Sequence, residues 1–250
     1  MKFQGKSALV TGSSEGIGYA IAAGLVAQGA RVMLNGRRED KLAEAARALG
    51  SAASYVVGDV SDPAAAQRIV DETVARQGGL DLLVNNVGVL FAGMVGGLDL
   101  DGVQRMMSVN LTGTILTTDA AVRVMRGRPG AAILLISSQA AFNLQPGIGI
   151  YGATKAAIEY LARVWAVELA STGIRVNCLR PGGTDTPAFR TGEAYMPGMR
   201  EQFIKGSLIK RIATPEDMVA PALMLLDEKD GAFITGSIMT VDGGCTLDRS

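Results

Sequence analysis

The chain has 250 residues and a formal net charge of zero, with 48% hydrophobic and 19% charged residues. This length and composition predict one α/β domain with a sizeable core, and the balanced charge argues against a general nucleic-acid binder. Because the chain has no histidine and only two cysteines, histidine general bases, serine–histidine triads, histidine metal sites and a disulfide framework are excluded.

Short apolar runs alternate along the chain with longer segments of helical periodicity. Strands are predicted at residues 6–10, 31–35, 53–57, 80–85, 131–137, 173–178 and 236–242. Helices are predicted at residues 16–28, 39–49, 63–77, 101–125 and from 151 to about 170. Such alternation is typical of a single-domain, Rossmann-type doubly wound parallel sheet of about seven strands with helices on both faces, here spanning residues 1–250.

Targeting and membrane signals are missing from the pattern. The first residues do not form a signal peptide, and the apolar run at 131–136 is far too short to span a bilayer. We therefore expect a cytoplasmic protein with no membrane partner, in a reducing compartment.

The segment TGSSEGIG at 11–18 follows the first strand and opens the first helix. Glycines at this place let a pyrophosphate approach the backbone, and the helix N-terminus favours its negative charge. A plain glycine turn is the alternative, because the spacing differs from the usual Gly-x-Gly-x-x-Gly. The residues predicted to bind the cofactor here are Gly12, Ser14, Gly16, Ile17 and Gly18.

Two arginines, Arg37 and Arg38, follow the second strand, where the cofactor ribose should lie. An acidic residue at the strand end would bind both ribose hydroxyls of NAD, and none is present. Because the planar arginine side chain binds phosphate well, NADP(H) is favoured and NAD(H) stays open. Solvated charges at a helix start are the alternative for one of the two.

Polar residues follow the third and fourth strands. The pair Asp59-Val60 is predicted to bind the adenine, whose amine can donate a hydrogen bond to the Asp59 carboxylate. The alternative is that Asp59 caps the helix that begins near Ser61. In Asn85-Asn86-Val87-Gly88, buried amides need partners, so Asn86 and Gly88 bind the adenosine ribose or tie strands together.

Four residues carry the candidate chemistry. Tyr151 and Lys155 are four residues apart and share a helix face, and an ammonium beside a phenol predicts a lowered tyrosine pKa. Ser138 ends a strand-like run, where its hydroxyl can polarise a carbonyl. Asn110 lies inside a predicted helix, where it holds a water near Lys155 or makes an ordinary helix–helix hydrogen bond. This set suits carbonyl/alcohol redox chemistry with a supplied hydride.

Together these motifs resemble the short-chain dehydrogenase/reductase family over nearly the whole chain, 6–244. The turn 181–186 looks like the family's nicotinamide-side turn, and 234–244 looks like its C-terminal segment. The resemblance implies further cofactor contacts from Tyr151, Lys155, Pro181, Gly182, Thr184 and Thr186. Val87 and Thr184 depart slightly from the family pattern, and Glu15 stands where many NADP enzymes of the family carry a basic residue.

The resemblance also implies a mechanism that needs no metal. Ser138 donates a hydrogen bond to the substrate carbonyl, and Tyr151 moves the proton as hydride is transferred. Lys155 lowers the tyrosine pKa and binds the nicotinamide ribose, while Asn110 positions a water that relays protons. The predicted substrate contacts are Ser138, Gln145, Tyr151 and Phe189.

The substrate is left open by the sequence. Residues 182–212 are predicted to form a substrate-binding lid beyond a strand end. A 3-oxoacyl-thioester reductase, a sugar or polyol dehydrogenase, and reductases of steroid-like or small cyclic ketones remain as alternatives. A catalytically silent NADP-binding sensor or scaffold is the non-enzyme alternative. The helices at 101–125 and 151–170 are expected, from the resemblance, to pair across a two-fold axis in a homotetramer or homodimer.

Overall fold

A computed structural model describes residues 1–195 and 198–247, and within these it contains one parallel sheet of seven strands in the order β3-β2-β1-β4-β5-β6-β7. Every neighbouring pair of strands is parallel. The strands are β1 (Ser7–Thr11), β2 (Arg31–Gly36), β3 (Ala53–Val57), β4 (Leu82–Asn85), β5 (Ala132–Ile136), β6 (Arg175–Pro181) and β7 (Ile238–Val241). The order reverses between β1 and β4, which is the switch point where ligands bind in such sheets.

Helices cover both faces of this sheet. They are α1 (Gly16–Ala27), α2 (Glu39–Leu49), α3 (Pro63–Gln77), α4 (Leu100–Met106), α5 (Gly113–Met125), α6 (Gly149–Glu168), α7 (Pro187–Tyr195), α8 (Met199–Gly206) and α9 (Val219–Leu226). One core cluster packs α1, α2 and α9 against the sheet, and the other packs α3, α5 and α6 against the opposite face. The predicted doubly wound fold is confirmed.

Successive side chains of each strand point to opposite faces of the sheet, so a continuous apolar strand contributes to the core on both faces. In β1, Ala8 and Val10 enter one cluster while Leu9 enters the other, so the whole strand is buried. β5, with the sequence AILLI, is buried throughout for the same reason. Fully burying a side chain such as Leu9 contributes about 1.5–3 kcal/mol, so these strands anchor the residues that follow their carboxyl ends.

The structure corrects several element predictions. The helix predicted at 101–125 is interrupted by a π-helical turn, Met107–Thr112, between α4 and α5. Strand β6 begins and ends later than the predicted 173–178 and reaches Pro181. Helix α9 was not predicted at all: its sequence VAPALMLL carries Pro221, which the first helical turn tolerates because its N–H would be unpaired there.

The predicted lid at 182–212 contains helices α7 and α8. Its positions 196–197, and positions 248–250 of the predicted domain, lie outside the described residues. In the described part of the chain, no helix is long and apolar enough to cross a membrane.

Candidate active site

Ser138 and Tyr151 are brought together by a close contact between two short segments. Ser138 lies just beyond β5, and its Oγ accepts the backbone N–H of Ala140 at 3.2 Å. A Cβ on Gly152 would lie 2.5 Å from the carbonyl oxygen of Ala140, so only glycine allows α6 to approach this turn. Tyr151 therefore starts the helix beside Ser138, whose hydroxyl interacts with the phenol.

Lys155 follows one turn later on α6 and is buried, with 3% of its surface exposed. Its Nζ donates to the carbonyl oxygen of Ile136 at 2.9 Å and lies 5.8 Å from the centroid of the Tyr151 ring. Burial lowers the pKa of Lys155 to about 8, because desolvation penalises the ammonium. The lysine is held at the end of β5, next to the tyrosine.

The predicted lowering of the Tyr151 pKa by Lys155 is wrong for this geometry. Desolvation raises the pKa of Tyr151, and the opposing effect comes from the Ser138 hydroxyl. The Lys155 ammonium is directed at the Ile136 carbonyl, and its own burial favours the neutral amine. Burial thus favours the neutral phenol, which is the form that donates a proton.

Asn110 lies in the π-helical turn and binds two other segments. Its Nδ2 donates to the Val89 carbonyl at 2.9 Å and to Thr154 Oγ1 at 3.2 Å, and its Oδ1 accepts the Val89 N–H at 2.8 Å. These bonds join the α4–α5 helix to the segment after β4 and to α6. The alternative of a helix–helix hydrogen bond is therefore present, and a role in holding water stays a prediction. The π turn is a common device for aiming a functional side chain.

A cleft of about 510 Å³ opens at the carboxyl ends of β1, β2, β3 and β4. Gly12 and Gly16 adopt left-handed φ values of 61° and 63°, which glycine reaches without strain. Eleven of the predicted cofactor residues line the cleft: Gly12, Ser14, Gly16, Ile17, Arg37, Arg38, Asp59, Val60, Asn86, Gly88 and Thr186.

At Gly88 the cleft adjoins two of the predicted catalytic side chains, Lys155 and Asn110. A Cβ on Gly88 would lie 3.2 Å from Lys155 Nζ and 3.7 Å from Asn110 Oδ1. The absence of a side chain at this position keeps the cleft open toward Lys155. A ligand that fills the cleft can thus approach Lys155, whose Nζ lies 5.8 Å from the centroid of the Tyr151 ring.

Charged side chains gather at the β2–β3 end of the cleft. Arg38 pairs with Glu15 at 2.8 Å, whereas Arg37 is 61% exposed and its closest approach to Asp59 is 3.9 Å. Arg105 is the stronger partner of Asp59, at 2.7 Å. Burial would raise the pKa of Asp59, but hydrogen bonds from Arg105 and Ser61 outweigh it and hold the pKa at about 2.

The chain matches known proteins over almost its full length. The profile of a family described as enoyl-(acyl carrier protein) reductase matches residues 12–246. A human relative named dehydrogenase/reductase SDR family member 4 is 35% identical over 244 residues, which covers 96% of this chain and 87% of the relative. This chain belongs to the short-chain dehydrogenase/reductase family. It is an oxidoreductase of the alcohol/carbonyl class, and its family binds NAD(P).

Two further members of the short-chain dehydrogenase/reductase family show the breadth of the similarity. A protein of Gluconobacter oxydans named glucose 1-dehydrogenase is 34% identical over 252 residues, covering 98% of this chain and 94% of that protein. The crystal structure of a short-chain dehydrogenase from Burkholderia cenocepacia in complex with NADP has a TM-score of 0.90 at 31% identity. It covers 98% of this chain and 99% of that one.

Some predicted cofactor residues of this dehydrogenase/reductase shape the cleft without lining it. A Cβ on Gly18 would lie 2.5 Å from Asn86 Nδ2, so the glycine lets α1 pack against the end of β4. Gly182 donates its N–H to Val241, and Thr184 Oγ1 donates to the Gly182 carbonyl, so both stabilise the turn after β6. Pro181 ends β6 and is also absent from the cleft lining.

The remaining predicted residues fall into two groups. Asn85 and Asn86 hold neighbouring elements together, whereas Phe189 and Gln145 lie in segments predicted to contact the substrate. Asn85 Nδ2 donates to Thr118 Oγ1, and Asn86 Nδ2 donates to the carbonyls of Thr11 and Gly12, so both amides tie elements together. Phe189 packs against Phe203 between α7 and α8, with ring centroids 5.4 Å apart. Gln145 lies partly buried in the segment between Ser138 and Tyr151.

The cleft residues that the sequence analysis missed include two with polar side chains, Asn35 and Arg105. Asn35 is fully buried in β2, where its Nδ2 donates to the carbonyls of Val56 and Gly58, and its Oδ1 has no partner among the described residues. The sequence does contain a signal for Asn35, because an amide lies inside the apolar strand RVMLNG. A buried polar group needs a hydrogen-bond partner, and a bound ligand can supply one. Arg105, on α4, gave no signal, because its partner Asp59 is distant in sequence.

Proposed function

We propose that this enzyme interconverts a carbonyl and a secondary alcohol by hydride transfer, with a preference for NADP(H). The observation that carries the proposal is the junction at Gly88, where the glycine-lined cleft meets Lys155 and Asn110, with Lys155 Nζ 5.8 Å from the centroid of the Tyr151 ring. The helices α7 and α8 are proposed as the substrate-binding lid of a single domain. We also propose that the protein is cytoplasmic.

The residues of the cleft fit a dinucleotide. The left-handed glycines at 12 and 16 expose backbone at the start of α1, where a pyrophosphate is favoured. The unpartnered Oδ1 of Asn35 can accept a hydrogen bond from a ligand in the same cleft. When bound, the cofactor supplies or accepts the hydride.

The protein side chains hold and protonate the substrate oxygen. The Ser138 hydroxyl accepts the Ala140 N–H and interacts with the Tyr151 phenol, and it is proposed to donate its proton to a substrate oxygen bound beside that phenol. In the reductive direction the neutral Tyr151 phenol donates its proton to the same oxygen, and in the oxidative direction its phenolate form accepts the proton of the alcohol. Lys155 and Asn110 are proposed to return that proton through a water.

Arg37 supports the preference for NADP(H). It is largely exposed and holds Asp59 only at 3.9 Å, so its guanidinium can bind a 2′-phosphate. The end of β2 carries Asn35 and Gly36 in place of an acidic residue. Glu15 pairs with Arg38, so the second arginine is less available to bind the 2′-phosphate.

The chain is also proposed to assemble as a homotetramer or homodimer. Tyr160 and Val167 on α6 and Ile115 on α5 are apolar side chains exposed on the helices that the family resemblance pairs across a two-fold axis. Burial of such side chains against a second copy is favourable.

Replacing the tyrosine hydroxyl tests the chemistry. Tyr151→Phe should lower kcat for carbonyl reduction by at least about 100-fold, because the proton donor is lost. NADPH affinity, measured by fluorescence titration, should be retained. Tyr160→Phe, which changes an exposed tyrosine of the same helix, is the matched control. Near wild-type turnover in Tyr151→Phe would contradict the mechanism.

A further inference from the structure

The two segments that flank the catalytic residues carry no formal charge. Residues 86–98, which follow β4, and residues 138–154, which run from Ser138 past Tyr151, contain no Asp, Glu, Lys or Arg. The segments meet where the Gly93 N–H donates to the Gly147 carbonyl at 2.8 Å. They therefore form one uncharged surface around the reacting groups, which we call the rim.

The rim also exposes large apolar side chains. They are Leu90, Phe91, Met94 and Val95 on the first segment and Phe142 and Leu144 on the second. Val95 is 96% and Leu144 100% exposed. Phe91 and Ile150, the residue before Tyr151, line one small cavity with Gly147, which connects this apolar surface to the start of α6. Contiguous exposed apolar side chains mark a binding surface.

Three arginines of β6 and the lid are already paired with carboxylates. Arg180 of β6 lies 5.4 Å from the ring of Phe142, but its Nη2 pairs with Glu159 at 2.6 Å. In the lid, Arg190 pairs with Asp185 at 2.8 Å, and Arg200 pairs with Glu193 at 2.7 Å. An anionic substrate would have to displace one of these carboxylates to gain a counter-charge, and desolvating an unpaired anion is costly.

We propose that the substrate is an uncharged ketone or secondary alcohol with an apolar body, and this inference rests on the proposed function. A carboxylate or a phosphate-bearing thioester would face two rim segments that supply no cationic side chain. A polyol would find three amide side chains in the second segment, and one of them, Gln139, is buried; the other two are Asn143 and Gln145. In reduction, the carbonyl carbon gains a hydride from the reduced dinucleotide, which is oxidised, and the oxygen gains the Tyr151 proton.

Two ketones that differ only in a carboxylate test the inference with the wild-type enzyme and NADPH. The kcat/KM for acetophenone should exceed that for 4-acetylbenzoate by at least about 10-fold, which corresponds to about 1.4 kcal/mol of binding preference. Acetoacetyl thioester and fructose complete the panel and should be poorer substrates than acetophenone. If 4-acetylbenzoate, acetoacetyl thioester or fructose gave a kcat/KM equal to or higher than that of acetophenone, the inference would be overturned. The proposed function would still stand. Failure of every carbonyl would overturn the proposed function with it.

A charge placed on the rim gives a second test. Leu144→Lys should raise the kcat/KM for 4-acetylbenzoate relative to acetophenone by about 5-fold or more, because the carboxylate then gains a counter-charge. Leu144→Asp should shift the ratio in the opposite direction. Phe233→Lys, at a fully exposed apolar residue outside both segments, should leave the ratio unchanged. A ratio that does not respond to either Leu144 variant would place the substrate elsewhere and overturn the inference.

Discussion

Single side chains at the β2–β3 end of the cleft are proposed to control which dinucleotide is favoured. Asp59 is already satisfied by Arg105 and Ser61, so Arg37 is only weakly held by it. Arg38 lies across from Glu15 and shares its charge with that carboxylate. A 2′-phosphate would therefore depend on Arg37 more than on Arg38, although the two are adjacent in sequence.

At this scale we expect Arg37→Ala to change cofactor preference. The KM for NADPH should rise by about 10-fold or more, because a charge-assisted bond to phosphate is lost, while the KM for NADH stays nearly constant. Steady-state kinetics with both cofactors measure the effect. Arg123→Ala, at an exposed arginine of α5, is the control. Equal changes in both KM values would contradict a phosphate-specific role.

Three elements are clamped together behind the catalytic residues. Glu159 of α6 pairs with Arg180 of β6, and the two side chains are only 9% and 15% exposed. Ser137, just after β5, donates to Glu159 Oε1 at 2.9 Å and to the Lys155 carbonyl at 3.2 Å. This network sets the position of α6, and hence of Tyr151, relative to Ser138.

At the scale of elements, Glu159→Ala should destabilise the protein by about 3–5 kcal/mol, because it leaves the buried Arg180 unpaired. Replacing both Glu159 and Arg180 by methionine should cost less, since no lone charge remains. Urea unfolding measures both variants. Asp119→Ala, which breaks the exposed pair with Arg123, should leave the free energy of unfolding almost unchanged. A double variant less stable than Glu159→Ala would contradict this account.

The proposed assembly uses the outer surface of the α4–α5 and α6 helices. The inner faces of α5 and α6 pack on the sheet, yet Ile115, Tyr160 and Val167 remain exposed on them. Single exposed apolar residues are common on protein surfaces. Several of them on two neighbouring helices favour an interface in which these helices pack against a second copy of the chain.

At the scale of the whole molecule, light scattering should give a mass of two or four chains. Tyr160→Asp combined with Val167→Asp should shift the mass toward a single chain, because charges would be buried at the interface. Phe233→Asp, on a surface away from these helices, is the control for added charge. A single-chain mass for the wild-type protein would contradict the proposed assembly.

The sequence by itself determined the doubly wound sheet, because continuous apolar strands alternating with amphipathic helices can bury both faces in few ways. It also predicted the glycine segment at 11–18 and the order Asn110, Ser138, Tyr151, Lys155, since these signals depend on local spacing. Only the tertiary structure decided the raised pKa of Tyr151, the pairing of Arg38 with Glu15 and the role of Arg105. Each of these depends on desolvation or on contacts between segments far apart in the chain, which spacing along the sequence does not encode.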